Sequence, residues 1–193
     1  MCKKNKSDIR ERRLQRQQEV ALAQLIKRNS EVERLPKILK EQLKSIEPES
    51  ISFSESEINI YPCAALLKNG NEINTLYLIP AFAANRCWWI KKENNIIKTT
   101  EIEKIIPSKY RLPAKFSNKI QCSGESGMGY TSGTFAMSDG KELNWVASET
   151  FEFPELPIEY NISDIIQVNM HKSNGKNKEP IRSREYNVVL YNL

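Results

Sequence analysis

A single histidine, His171, is the only imidazole in 193 residues. One subunit therefore cannot build a two-histidine zinc site or a multi-histidine iron site. Cysteine is scarce as well: four in this length are too few for a disulfide-held scaffold. Cys63, Cys87, Cys122 and His171 could in principle supply a three-cysteine, one-histidine zinc set. No short Cys-x-x-Cys pair starts such a site, however, so no metal or other cofactor is expected. Long apolar runs are missing. The longest, Leu76 to Ala84, spans nine residues with Pro80 inside it, whereas a membrane-crossing helix needs about 20. Lys3, Lys4 and Lys6 are followed by further charge rather than an apolar stretch, so no secretory leader is expected, and a cytoplasmic location follows as the expectation. Glycine is absent from the first 47 residues, and all seven glycines lie beyond residue 60.

Hydrophobic residues make up 39% and charged residues 27% of the chain, enough apolar material for a folded core. The net charge is +5, and its location is informative. Residues 1–16 carry Lys3, Lys4, Lys6, Arg10, Arg12, Arg13 and Arg16 against Asp8 and Glu11. The whole surplus therefore sits in those sixteen residues, and the remainder of the chain is neutral. A positive tip on a neutral body is a candidate contact for a polyanion.

The glycine-free start reads as helix. Ser7 or Asp8 can cap it, with Glu11 at capping-box spacing from Asp8. Leu14, Ala21, Leu22, Leu25, Ile26 and Val32 then recur near a period of 3.6. Pro36 suits the first turn of a second helix, with its own stripe of Ile38, Leu39, Leu43 and Ile46. Beyond Pro48-Glu49-Ser50 the pattern changes to short β-branched and aromatic runs between turn signals. Asn69-Gly70 and Asp139-Gly140 predict hairpins joining 64–67 to 73–79 and 130–137 to 143–148. Strands are also expected at 51–54, 87–90, 96–99, 119–123, 165–170 and 186–191. Residues 101–106 read as a short helix or a strand, and 172–185 as a polar loop with a local excess of Lys and Arg. No internal repeat is evident. The expected fold is α+β: a helical arm at 1–48, one long helix and one short, followed by a mostly antiparallel β domain at 51–193.

Two segments could carry chemistry. Residues 122–129 read Cys-Ser-Gly-Glu-Ser-Gly-Met-Gly. Gly124-Glu125-Ser126-Gly127 looks like the G-D-S-G of chymotrypsin-like proteases, but the lone histidine follows the serine instead of preceding it. Cys122-Ser123-Gly124 resembles the D-C-S-G of NlpC/P60 cysteine peptidases over three residues. That resemblance implies Cys122 as nucleophile and His171 as base, although Gln121 stands where the family has Asp. The plain reading of the segment is a glycine-rich loop joining two strands. The second segment runs from Arg86 to Lys92 and contains Trp88 and Trp89. On a strand these two indoles face opposite ways. One fills a core; the other covers a second layer or stacks on an unpaired base beside Arg and Lys.

These features favour a non-catalytic binding or adaptor protein. Its expected contact residues are Lys3, Lys4, Lys6, Arg10, Arg12, Arg13 and Arg16, with Trp88 and Trp89. The expected partner is nucleic acid or another protein, including a second copy through the apolar helix stripe, and not a membrane. The alternative is a cysteine hydrolase using Cys122 and His171.

Overall fold

The computed structural model describes residues 32–53, 56–87, 96–127, 129–147, 151–171 and 180–192. Among them are two short helices, α1 (Lys37–Leu43) and α2 (Ala114–Cys122), and eight strands: β1 (Glu49–Phe53), β2 (Ser56–Leu67), β3 (Glu72–Pro80), β4 (Ile102–Ile106), β5 (Thr131–Met137), β6 (Glu142–Ala147), β7 (Ile165–Met170) and β8 (Asn187–Tyr191). Both helices begin directly after a proline, Pro36 and Pro113. Proline's fixed φ suits a helix start, where its missing N–H costs nothing.

The Asn-Gly and Asp-Gly turns form as expected. Gly70 and Gly140 adopt φ of +87° and +84°, the left-handed values that favour glycine. Around the first turn, β2 pairs antiparallel with β3, β1 and β4, while β8 adds to β3 in parallel. Around the second, β5 sits between antiparallel neighbours β6 and β7. The result is a five-stranded and a three-stranded sheet.

The first sheet is buried on both faces, and strand alternation sorts its residues. Cys63, Ala65 and Leu67 of β2, Leu76 and Leu78 of β3, and Val189 and Tyr191 of β8 share one face with Leu39 and Leu43 of α1. Ile58, Ile60, Tyr77, Ile79, Val188 and Leu190 point the other way, onto Ala83, Ala84, Cys87 and Phe153. The second sheet packs one face against α2. Phe135, Trp145 and Val168 meet Phe116, Ile120 and Phe151, and the Trp145 ring lies stacked 5.2 Å from Phe151 and 5.7 Å from Phe135. Burying each such aliphatic or aromatic side chain contributes about 1.5–3 kcal/mol.

Each hairpin belongs to a larger unit, and the two units are built alike. In each, the third turn residue's N–H reaches back to the strand end: Gly70 to the Leu67 carbonyl at 2.9 Å and Gly140 to that of Met137 at 3.0 Å. The Asn69 and Asp139 side chains each accept from the N–H two residues on, both at 3.0 Å. Further along the chain a 3₁₀ turn ends in an acid whose side chain accepts the N–H three residues before it. Glu101 takes that of Lys98 at 3.2 Å and Asp164 that of Asn161 at 2.7 Å. The Glu101 and Asp164 carbonyls then accept from Lys68 and Ser138, the first turn residue of each hairpin. A third strand returns antiparallel to the first, with a register shift beside the hairpin, at Leu66/Leu67 and at Ala136/Met137. The reading of no internal repeat is therefore corrected: the fold contains two copies of a strand–turn–strand–3₁₀–strand unit.

The expected architecture of a helical arm followed by a β domain is also corrected. The predicted long helix falls on residues 1–31, which lie outside the described residues. The predicted second helix exists as α1, but it is no arm. Leu35, Leu39, Leu43 and Ile46 are buried in the same cluster as β2, β3 and β8, and the Gln42 side chain accepts the Ile105 N–H of β4 at 2.8 Å. What is described is a β-rich fold with two short helices docked on its sheets. The strand expected at 119–123 is the end of α2. There Phe116 and Ile120 at helical spacing bury one face, and the order set by Pro113 outweighs strand propensity. Residues 102–106, left open between helix and strand, form β4. Cys87 follows a 3₁₀ turn at 81–86 outside any strand, and Ile96 makes only an isolated bridge to Val188.

Candidate functional site

α2 ends at Cys122, so the thiol lies at the helix C-terminus and is exposed. That end carries the negative pole of the helix dipole, the opposite of the setting that stabilises a thiolate. Residues 123–127 and 129–131 are tied together by their own hydrogen bonds. The Ser126 N–H reaches the Tyr130 carbonyl at 2.9 Å, the Gly129 N–H reaches the Glu125 carboxylate at 3.1 Å, and the Thr131 hydroxyl reaches the Gly124 carbonyl at 3.3 Å. The Ser126 hydroxyl accepts the Ser132 N–H at 3.0 Å, closing the loop onto the start of β5. Gly127 is packed so tightly that a Cβ there would lie 2.6 Å from Cε1 of Tyr130. The glycines thus serve loop closure and close approach.

His171 follows β7, with its N–H on the Ser132 carbonyl at 2.9 Å. Its ring nitrogen Nδ1 is buried without a hydrogen-bond partner. Among the described residues, no hydrogen bond joins this ring to the Cys122 thiol.

Among the described residues, the buried charge lies elsewhere, where β1, the approach to α2 and Glu152 meet. Glu49 of β1 and Glu152, just after the Phe151 of the second core, are each 1% exposed. Arg111, in the segment leading to α2, donates from Nε to the Glu152 carboxylate at 3.0 Å and from a terminal nitrogen to the Glu47 carbonyl. Gln121, near the end of α2, donates its amide to Glu49 Oε1. Two polar atoms remain unpaired: Glu49 Oε2 and the second terminal nitrogen of Arg111. Burial pushes both carboxyl groups above the usual carboxylate range. At Glu49 the neighbouring Glu152 adds to the rise and Arg111 opposes it; at Glu152 the Arg111 guanidinium opposes it. One guanidinium faces two acids, so the cluster favours keeping a proton on Glu49. Burial, with Glu49 nearby, also pushes the Cys87 thiol up to about 12. Cys63 rises too, again by burial.

This cluster was invisible to motif reading. Glu49, Arg111 and Glu152 are far apart in sequence and sit in no shared motif. Of the expected site residues, Lys3, Lys4, Lys6, Arg10, Arg12, Arg13, Arg16, Trp88 and Trp89 all lie outside the described residues. Among the described residues, no group of three His, Cys, Asp or Glu side chains is placed to hold a metal ion, and no helix is long and apolar enough to cross a membrane. No protein-family model, curated protein or solved structure matches the chain.

Proposed function

We propose that the chain is a non-catalytic cytoplasmic binding protein whose basic segment, residues 3–16, contacts the phosphates of nucleic acid. The observation that supports this reading is the segregation of charge. Seven cations stand against two acids within sixteen residues, and the other 177 residues balance to zero. Arg10, Arg13 and Arg16 are spaced to fall on one side of a helix. Lys and Arg presented this way meet phosphates and carry no base information, so the binding is sequence-tolerant. The β-rich body serves as the scaffold.

A salt titration tests the reading. Contact by four to six of the seven cations gives a slope of log K against log salt of roughly −4 to −5, at about −0.9 per phosphate on a duplex. Replacing Arg10, Arg13 and Arg16 together by Gln flattens that slope by up to about 3. Deleting residues 1–16 abolishes binding and leaves the melting temperature unchanged. No binding at low salt, or binding indifferent to the deletion, removes nucleic acid as the partner.

A further inference from the structure

Between α1 and the adjoining end of the first sheet lies an open groove of about 290 Å³, lined by Leu35, Leu43, Ile46, Pro48, Tyr61 and Tyr191. Its volume falls just below the usual range for ligand sites, about 300–1,000 Å³, so it suits only a small ligand. Lys40 and Lys44 of the helix border it.

The lining has two chemistries. Leu35, Leu43 and Ile46 are core residues of the first sheet, so the floor is apolar and held by packing. Tyr61 of β2 and Tyr191 of β8 stand on the same sheet face, and no hydrogen bond ties either phenol oxygen to another described residue. Burial and the nearby Tyr61 push the Tyr191 phenol up, so it stays a neutral O–H donor in ordinary buffers. Lys44 is paired with Glu41 at 2.5 Å on the surface, whereas Lys40 has no ion-pair partner among the described residues. An apolar slot with two free phenol donors and an unpaired ammonium at its rim complements one kind of molecule: a short apolar chain ending in an anion that can accept hydrogen bonds.

We propose that this groove is a binding site for a medium-chain carboxylate, with the chain against Leu35, Leu43, Ile46 and Pro48 and the carboxylate at Tyr61, Tyr191 and Lys40. This goes beyond the nucleic-acid reading and does not depend on it. The apolar wall accounts for affinity that grows with chain length, and the phenols and ammonium for discrimination by charge.

The test uses the full chain and a matched series of probes followed by calorimetry: hexanoate, octanoate, octanol and octylamine. Octanoate binds saturably, and more tightly than hexanoate by about fourfold for each added methylene. Octanol binds about tenfold more weakly than octanoate, and octylamine more weakly still. Lys40→Gln combined with Tyr61→Phe brings octanoate down to the octanol level with little change in melting temperature, because Lys40 is exposed and phenylalanine keeps the ring packed against the core. Lys40→Glu reverses the order of octanoate and octylamine. Three results overturn the proposal: octanoate that fails to bind the full chain, octylamine that binds as well as octanoate, or rim variants that leave octanoate affinity unchanged. A concentration-dependent dimer dissociated by Lys40→Glu reassigns the groove to a second copy and equally overturns it.

Discussion

Gly133 lies directly across from Trp145 in the β5–β6 pairing, and the space where a side chain would stand is filled by the indole. A Cβ at 133 would lie 2.5 Å from Cζ2 and 2.8 Å from Cε2 of Trp145, with the Asn169 carbonyl crowding the same point. The ring has no room to retreat, because it packs against both Phe135 and Phe151, themselves 6.0 Å apart, in a buried core. Gly133→Ala is expected to cost about 1–3 kcal/mol as an overpacking change. That is a fall in melting temperature of about 2–12 °C for a chain of this size. Thermal denaturation followed by near-ultraviolet circular dichroism reads both the loss and the displaced indole.

The two hairpin glycines supply a matched pair. Gly70 and Gly140 have nearly the same positive φ, and at neither would a Cβ meet another atom within 4 Å. The cost of alanine at each is therefore backbone strain alone, about 1–2 kcal/mol. The two values should agree within about 0.5 kcal/mol, and asparagine should be milder than alanine at both. Urea denaturation of the four variants checks the equivalence of the units. A cost confined to one hairpin would show that they are alike only in outline.

The Glu49–Arg111–Glu152 cluster predicts an opposite response to two neighbouring substitutions. Glu49 holds its proton more tightly in the fold than in the unfolded chain. The stabilisation tied to that proton is complete below the unfolded carboxylate value and is lost as pH rises through the folded one. Glu49→Gln removes the titration while keeping an acceptor for Gln121. It should melt higher than the parent at pH 8, with the gap closing toward pH 4.5. Arg111→Met leaves two buried acids without a counter-charge and should cost about 3–5 kcal/mol. Adding Glu49→Gln and Glu152→Gln to it should recover most of that loss. Melting curves across pH 4.5–8 decide both points.

The cysteines should separate by burial. Cys63 and Cys87 are buried and their thiols are pushed up, so both resist alkylation until the protein is unfolded. Cys122 is exposed and should be alkylated by iodoacetamide in the folded protein, at a rate unchanged by His171→Ala. Peptide mass spectrometry resolves the sites. Selective labelling of Cys122 at pH 6 that disappears in His171→Ala would instead establish the cysteine–histidine pair.

Some of this protein is written locally and can be read without its fold. The Asn69-Gly70 and Asp139-Gly140 turns, the β-branched and aromatic runs that flank them, and the short helix after Pro36 follow from neighbours in sequence, because turn dihedrals and strand propensity are local properties. The placing of the whole charge surplus in residues 1–16 is likewise a matter of composition. The rest depends on residues distant in sequence. Whether Leu39, Leu43 and Ile46 belonged to a free arm or to a core turned on Leu76, Val189 and Tyr191 arriving beneath them. The repeat is not legible in the sequence, because its two copies share only a turn and one acid. The turn glycine and the acid are separated by 31 residues in one copy and 24 in the other, and their correspondence lies in backbone hydrogen bonds that many sequences can make. Glu49, Arg111 and Glu152 became a cluster only when β1, the approach to α2 and the segment after β6 were brought to one place. Burial then changed their proton affinity, and burial is decided by the whole packed chain rather than by any stretch of it.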